Sequence, residues 1–125
     1  MKTTTEQMAL EIADLLEDGK GGDVAALDVS CLNSWTDFFV IATIASPTHH
    51  KSLYKLVKDY CRDSNGVLEI RAPAKKIPDG DDWVLIDLGV IVVHLMSKDA
   101  REFYDLEKLW HNGRKIRGAD CGNAD

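Results

Sequence analysis

Residues 83–96 read WVLIDLGVIVVHLM and contain two β-prone arms around a glycine. Leu88-Gly89 supplies the tight turn, because glycine adopts the positive backbone angle that a short hairpin loop requires. The pattern predicts an antiparallel hairpin with strands at 83–87 and 90–96. Side chains alternate along a strand, so Trp83, Leu85 and Asp87 share one side of the first arm. His94 and Met96 share one side of the second arm.

Two helix-start signals precede this hairpin. Thr4 and Gln7 form a capping box before an amphipathic segment, which glycines from Gly19 onward bring to an end. Ser46 followed by Pro47 is typical of a second helix start, since serine caps free backbone N–H groups and proline lacks one. The sequence therefore predicts helices over about residues 5–18 and 47–64.

Three further strands are predicted before the hairpin, two between the helices and one after the second helix. Residues 24–29 form the first, and the continuously apolar residues 38–42 form a central strand that is covered on both faces. Residues 67–71 form the third, and residues 72–82, with two prolines and a glycine, are predicted to be an irregular loop. With the two hairpin arms, the expected sheet has five strands.

The segment after the hairpin begins with Ser97, a candidate helix cap. Two interpretations of residues 101–110 stay open. In one, Phe103, Leu106 and Trp110 dock a helix on the sheet; in the other, Tyr104 or Trp110 and the neighbouring acids border a protein-binding face. The periodic pattern disappears from residue 114 onward.

These elements define one fold class, a single-domain α/β protein of mixed α+β type with a mixed sheet flanked by helices. The chain has 125 residues, enough for one domain with its own core. We expect the domain to span residues 1–113 and residues 114–125 to form a flexible C-terminal tail.

Charge limits the class of partner. Fifteen Lys and Arg oppose 21 Asp and Glu, and the net charge of −6 disfavours tight nucleic-acid binding but suits a basic protein partner. No apolar run approaches the roughly 20 residues that cross a bilayer, so no membrane association is expected. The acidic residues 1–18 resemble neither a transit peptide nor a secretory signal, and we expect a cytoplasmic location.

Signals for catalysis are weak. The chain lacks a Walker loop, a Gly-x-Ser-x-Gly motif and a His-Glu-x-x-His motif. Asp28, Asp37 and Asp87 lie near strand ends, where carboxylates can bind a divalent metal, but they more commonly accept hydrogen bonds from the turns that follow. We therefore expect no enzyme activity, no metal and no cofactor.

Several blocks of the sequence agree, in order, with a known family. They are Leu27-Asp28-Val29, TDFFVIA at 36–42, Ser46, WVLID at 83–87, Gly89, VVHLM at 92–96 and REFYDLEKLW at 101–110. On these blocks the chain resembles the ribosomal silencing factor family, the RsfS, YbeB or Iojap-like proteins, over roughly residues 6–112. Ile44, Thr48 and Lys75-Lys76 depart from the family pattern.

The resemblance implies a nucleotidyltransferase-like fold that acts by binding rather than by catalysis. Family members attach to ribosomal protein fourteen of the large subunit and block joining of the small subunit. The resemblance thus implies a translation repressor for starvation or stationary phase, with no direct sequence-specific contact to nucleic acid.

One group of residues is the predicted binding surface for this partner. Its members are Trp83, Leu85, Asp87, His94, Met96, Tyr104, Asp105 and Glu107. Two alternatives stay open: a metal-dependent nucleotidyltransferase that uses Asp28, Asp37 or Asp87, and a chain that forms a homodimer when free.

Overall fold

A computed structural model describes residues 4–32, 36–64, 66–71, 75–76, 83–105 and 113–117. In chain order its elements are α1 (Thr5–Asp18), β1 (Gly22–Asp28), β2 (Phe38–Ile44), α2 (Pro47–Asp63), β3 (Lys75–Lys76), β4 (Trp83–Asp87), β5 (Ile91–Ser97), α3 (Lys98–Tyr104) and β6 (Arg114–Arg117).

The described strands form one sheet in the order β3-β4-β5-β2-β1-β6. Strands β2 and β5 are parallel, and the other neighbouring pairs are antiparallel. The sheet is therefore mixed, and the predicted α/β single-domain class is confirmed. Strand β2 lies inside the sheet as predicted, with all of its residues buried except Thr43, which is half-buried.

Helices α1 and α2 cover one face of the sheet. Ile12, Leu16, Leu53 and Val57 are fully buried there, in a cluster with apolar residues of β1, β2, β4 and β5. The opposite face carries a second cluster, formed by Leu27, Val29, Phe39, Ile41, Val92, Met96 and Ala100, with Trp83 and Leu85 packed against it. Apolar residues on both faces explain why the central strands have continuous rather than alternating hydrophobicity.

The helix caps and the turn glycine that the sequence predicts are present in the structure. At the start of α1, Thr4 Oγ1 accepts from the Gln7 amide at 3.1 Å, and Gln7 Oε1 accepts from the Thr4 amide at 2.9 Å. Ser46 Oγ accepts from the His49 amide at 3.2 Å and caps α2. Gly89 has a φ of +88° in the turn between β4 and β5. The hairpin of residues 83–96 is therefore confirmed.

The predicted strand at 67–71 is wrong. Ser64 binds this segment to the end of α2, because its Oγ accepts from the Leu68 amide at 3.0 Å and donates to the Cys61 carbonyl at 2.6 Å. Leu68 is buried in the core below α2. Local capping therefore takes up backbone groups that a sheet would otherwise have paired.

Two short edge strands were not predicted; because the predicted strand at 67–71 is absent, the described part of the sheet has six strands where five were expected. Lys75–Lys76 lies in the stretch 72–82 that was expected to be irregular, and it pairs with β4. Arg114–Arg117 lies in the expected tail 114–125, and it pairs with β1. Arg114 Nη2 also reaches Glu6 at 2.6 Å and Asp28 at 3.1 Å. These contacts are distant in sequence, and local periodicity cannot reveal them; residues 118–125 lie outside the described part.

Helix α3 is shorter than its sequence pattern. Ser97 caps it as predicted, and it ends at Asp105, whose φ of +47° is left-handed. Leu106, Glu107 and Trp110 lie outside the described residues. Phe103 is 81% exposed, so the interpretation in which this side chain docks the helix on the sheet is wrong.

Candidate partner-binding surface

The β4–β5 hairpin brings most of the predicted binding residues onto one side of the sheet. Trp83 pairs with Met96, Leu85 pairs with His94, and Asp87 pairs with Val92. Because side chains of paired residues lie on the same face, these residues lie opposite the face that α1 and α2 cover. We call the surface formed by Trp83, Leu85, Asp87, His94, Met96 and Tyr104 the hairpin face.

A hydrogen bond between two ring side chains organises this face. The Trp83 indole Nε1–H donates to His94 Nδ1 at 3.1 Å. His94 is 3% exposed, and its ring contacts Phe39 edge-on with 4.6 Å between centroids. Burial lowers the pKa of His94 from 6.5 to about 3, so the imidazole is neutral at neutral pH and Nδ1 is free to accept.

The aromatic contacts continue from the buried histidine to the surface. The Trp83 and Tyr104 rings are 4.7 Å apart between centroids, and the Tyr104 and Phe103 rings are 5.0 Å apart at 88°. Such offset and edge-to-face pairs contribute about 0.5–1.5 kcal/mol each beyond their burial. The end of α3 thus extends the hairpin face with an exposed phenyl ring, which the predicted site did not include.

The predicted residues differ in accessibility. Trp83, Leu85 and Asp87 are half-buried and Tyr104 is exposed. His94 and Met96 are buried, which leaves them little surface to offer a partner directly; both lie behind Trp83 and Leu85. Alternation along a strand identifies the face of a residue but not how deeply neighbouring elements cover it.

Asp105 is exposed and follows α3, rather than lying on the hairpin strands. Asp105 lines a separate shallow pocket of about 340 Å³, together with Thr43, Arg101 and others. Arg101 Nη1 donates to Thr43 Oγ1 at 2.9 Å and holds α3 against β2. Glu107 lies outside the described residues.

Two of the three candidate metal-binding carboxylates, Asp28 and Asp87, have other partners. Asp28 Oδ1 accepts from the amide and hydroxyl of Ser30 at 3.0 and 2.7 Å, and Asp87 Oδ1 accepts from the Gly89 amide at 2.8 Å. Burial opposes ionisation of Asp28, but the hydrogen bonds from Ser30 and Arg114 prevail and lower its pKa. The turn-capping role is therefore confirmed for Asp28 and Asp87. In the described part of the chain, no three His, Cys, Asp or Glu residues are grouped to hold a metal.

The length and apolar character of the helices bear on membrane insertion. Among the described residues, no helix combines the length and the apolar character that a membrane span needs.

The described part of the chain is thus a mixed α/β protein with an aromatic face on the side of the sheet opposite α1 and α2, and without a group of metal ligands. Residues 2–125 match the family model "Ribosomal silencing factor during starvation". The chain belongs to this ribosomal silencing factor family.

Individual relatives agree with this assignment. The ribosomal silencing factor RsfS of Treponema pallidum is 36% identical over 104 residues, which cover 83% of this chain and 90% of that protein. "Mitochondrial assembly of ribosomal large subunit protein 1" of mouse is also 36% identical, over 79% of this chain and 43% of that protein. A crystal structure from Chromobacterium violaceum superposes with a TM-score of 0.72 at 32% identity, covering 98% of both chains. Proteins named as ribosomal silencing factors are regulators rather than enzymes.

Proposed function

We propose that this chain binds ribosomal protein fourteen of the large ribosomal subunit through the hairpin face and blocks joining of the small subunit. It would thereby repress translation in starvation or stationary phase, in the cytoplasm and without catalysis or a cofactor. Membership of the ribosomal silencing factor family supports a ribosomal role. The mouse relative is named for assembly of the large ribosomal subunit, which favours that subunit as the partner.

One observation supports the hairpin face above other surfaces: its central tryptophan is both accessible and fixed in orientation. Trp83 is half-buried, its N–H is bound by His94, and its ring packs against Tyr104. An aromatic side chain held in this way loses little conformational entropy when it binds, and such residues dominate protein interfaces.

The chemistry of the surface suits a basic protein. Trp83, Leu85 and Tyr104 supply apolar contact area, and Phe103 extends it at the exposed end of α3. Asp87 lies at the other end of β4 and Asp105 follows α3, and Glu107 adds a carboxylate in sequence. Asp87 places a carboxylate on the hairpin face, and apolar anchors beside an acidic group, in a chain of net charge −6, favour association with a cationic partner. His94 and Met96 act in this proposal as supports rather than contacts.

Replacing the central anchor tests the assignment. Trp83→Ala should weaken binding to isolated ribosomal protein fourteen and to purified large subunits by at least about 2 kcal/mol, or roughly 30-fold. The loss arises because the largest accessible ring of the surface is removed. Titration calorimetry with the isolated protein and co-sedimentation with the subunits measure it.

Val67→Ala is the matched control, because Val67 is an apolar residue that is 65% exposed and lies outside the hairpin face. The control should bind like the parent. Circular dichroism and urea denaturation verify that both variants fold. A folded Trp83→Ala variant with the affinity of the parent would remove the hairpin face from the proposal.

The same face gives the free chain a means of self-association. An 81% exposed Phe103 beside Tyr104 favours burial against a second copy when no ribosome is present. In sedimentation velocity, the parent should sediment faster as its concentration rises, and Phe103→Ser should not. Sedimentation of the parent that is independent of concentration would contradict this homodimer.

A further inference from the structure

A groove outside the hairpin face lies between the last turns of α2 and the segment 66–71. Its volume is about 570 Å³. Tyr54, Leu68 and Ile70 supply apolar lining, and the Cys61 thiol lies among them. The groove is thus wide enough to hold part of an extended ligand and offers an aromatic ring as well as polar groups.

The charge of the groove is opposite to that of the whole chain. Lys58, Arg62 and Arg71 line it, against one carboxylate, Glu69. Arg62 is paired with Asp59 at 3.1 Å and with Asp63 at 3.6 Å. Across the described ranges, neither Lys58 nor Arg71 has a carboxylate within ion-pair distance. Among the described residues, Lys58 and Arg71 therefore line the groove without a direct ion pair, in a chain whose net charge is −6.

The groove adjoins the end of the hairpin face. The Arg71 amide donates to the carbonyl of Asp87, the last residue of β4, at 2.8 Å. The Arg71 guanidinium also packs against the following turn, where a Cβ added to Gly89 would lie 3.3 Å from Arg71 Nη1. A particle that binds the hairpin face therefore comes close to Arg71, the end of the groove nearest β4.

We infer that this groove binds the sugar-phosphate backbone of ribosomal RNA beside the protein contact, an inference that rests on the proposed function. Lys and Arg side chains attract phosphates, and a neighbouring aromatic ring such as Tyr54 can stack on an unpaired base. An acidic peptide would also match the positive charge of the groove. RNA is favoured as the ligand because the surface of a ribosomal subunit is rich in phosphate and its proteins are commonly basic. Phosphate contacts would orient the chain without reading sequence.

Salt dependence distinguishes this contact from the protein contact. The double variant Lys58→Gln/Arg71→Gln should bind purified large subunits more weakly than the parent at low salt. Its plot of log affinity against log salt should be shallower by about 1–2, since each lost phosphate contact removes a slope of roughly 0.7–0.9. Binding to isolated ribosomal protein fourteen should stay unchanged.

Lys20→Gln is the matched control, because Lys20 is an exposed cation in the turn after α1 and does not line the groove. Urea denaturation establishes that each variant is folded. An unchanged salt slope and affinity on large subunits would overturn the inference. Equal weakening on the isolated ribosomal protein would also overturn it and identify a protein ligand instead.

Failure of the proposed function has a different signature, in which the parent itself does not bind large subunits. Filter binding to protein-free large-subunit RNA then tests the groove alone. Weaker retention of the double variant than of the parent and of Lys20→Gln supports the RNA contact. Equal retention of all three, or no retention of the parent, contradicts it.

Discussion

His94 fixes the orientation of the most important predicted anchor. Its ring is buried, its pKa is lowered to about 3 by that burial, and its Nδ1 accepts the Trp83 N–H at 3.1 Å. A protonated imidazole would donate from both nitrogens and would lose this acceptor. The neutral form of one buried side chain therefore determines which edge of Trp83 is presented to a partner.

This burial predicts how stability depends on pH. Below pH 6.5 the unfolded chain binds a proton at His94, whereas the folded chain does not until about pH 3. Lowering the pH therefore stabilises the unfolded state, and the contribution of His94 should fall by about 2 kcal/mol between pH 7 and pH 5. Urea denaturation at the two pH values measures the free energy of unfolding.

His94→Gln separates this effect from the other histidines and the carboxylates. The variant is expected to be less stable at pH 7 but to lose about 2 kcal/mol less than the parent on acidification. Parallel losses in parent and variant would show that His94 is not held neutral by the fold.

At single positions, the sequence predicts which face of the sheet a side chain lies on better than how deeply it is buried. The tryptophan anchor follows from alternation in the hairpin, since Trp83 and Leu85 share one side of β4. The sequence does not predict the burial of His94 or the 81% exposure of Phe103. Both depend on how α3 packs against the sheet. Asp105, where α3 ends in a left-handed conformation, carries no glycine or proline signal.

The start of α2 is stabilised by hydrogen bonds that its own side chains form. Ser46 Oγ caps the helix through the His49 amide. The His49 ring accepts from the Ala45 amide through Nδ1 at 2.9 Å, and its Nε2 lies 2.8 Å from the Gly19 carbonyl. The cap therefore also holds α2 to the turn that ends α1.

Ser46→Ala should lower the free energy of unfolding by about 1 kcal/mol, because it leaves a backbone N–H at the helix start without its cap. The midpoint of urea denaturation reports the change. Ser52→Ala is the matched control, since Ser52 is an exposed position inside α2, where alanine favours the helix. If Ser46→Ala costs no more than the control, the cap does not stabilise α2.

Elements with local signals were predictable, and elements that depend on distant partners were not. Thr4, Ser46 and Ser97 each mark a helix start through contacts three residues away. Strands β3 and β6 exist because their backbones pair with β4 and β1, and neither has an apolar repeat of its own. The segment 67–71 has a strand composition, but Ser64 and the core below α2 take up its polar and apolar groups.

In the whole molecule, the two faces of the mixed sheet have different roles: one carries the main core and the other carries the hairpin face. Helices α1 and α2 complete the main core on one face, which leaves the hairpin face free to carry exposed rings. The acidic chain as a whole favours a basic partner, while Lys58 and Arg71 line a groove whose Arg71 end adjoins β4. Under the proposed function, these two surfaces would bind different components of one ribosomal subunit.

The central claim is that this binding prevents the two ribosomal subunits from joining. Purified large and small subunits mixed with the parent protein and separated on a sucrose gradient test it most directly. We expect fewer joined ribosomes as parent protein is added, with the protein retained on free large subunits, and no such effect of Trp83→Ala at the same concentration. Undiminished joining while large subunits are saturated with the parent protein would contradict it.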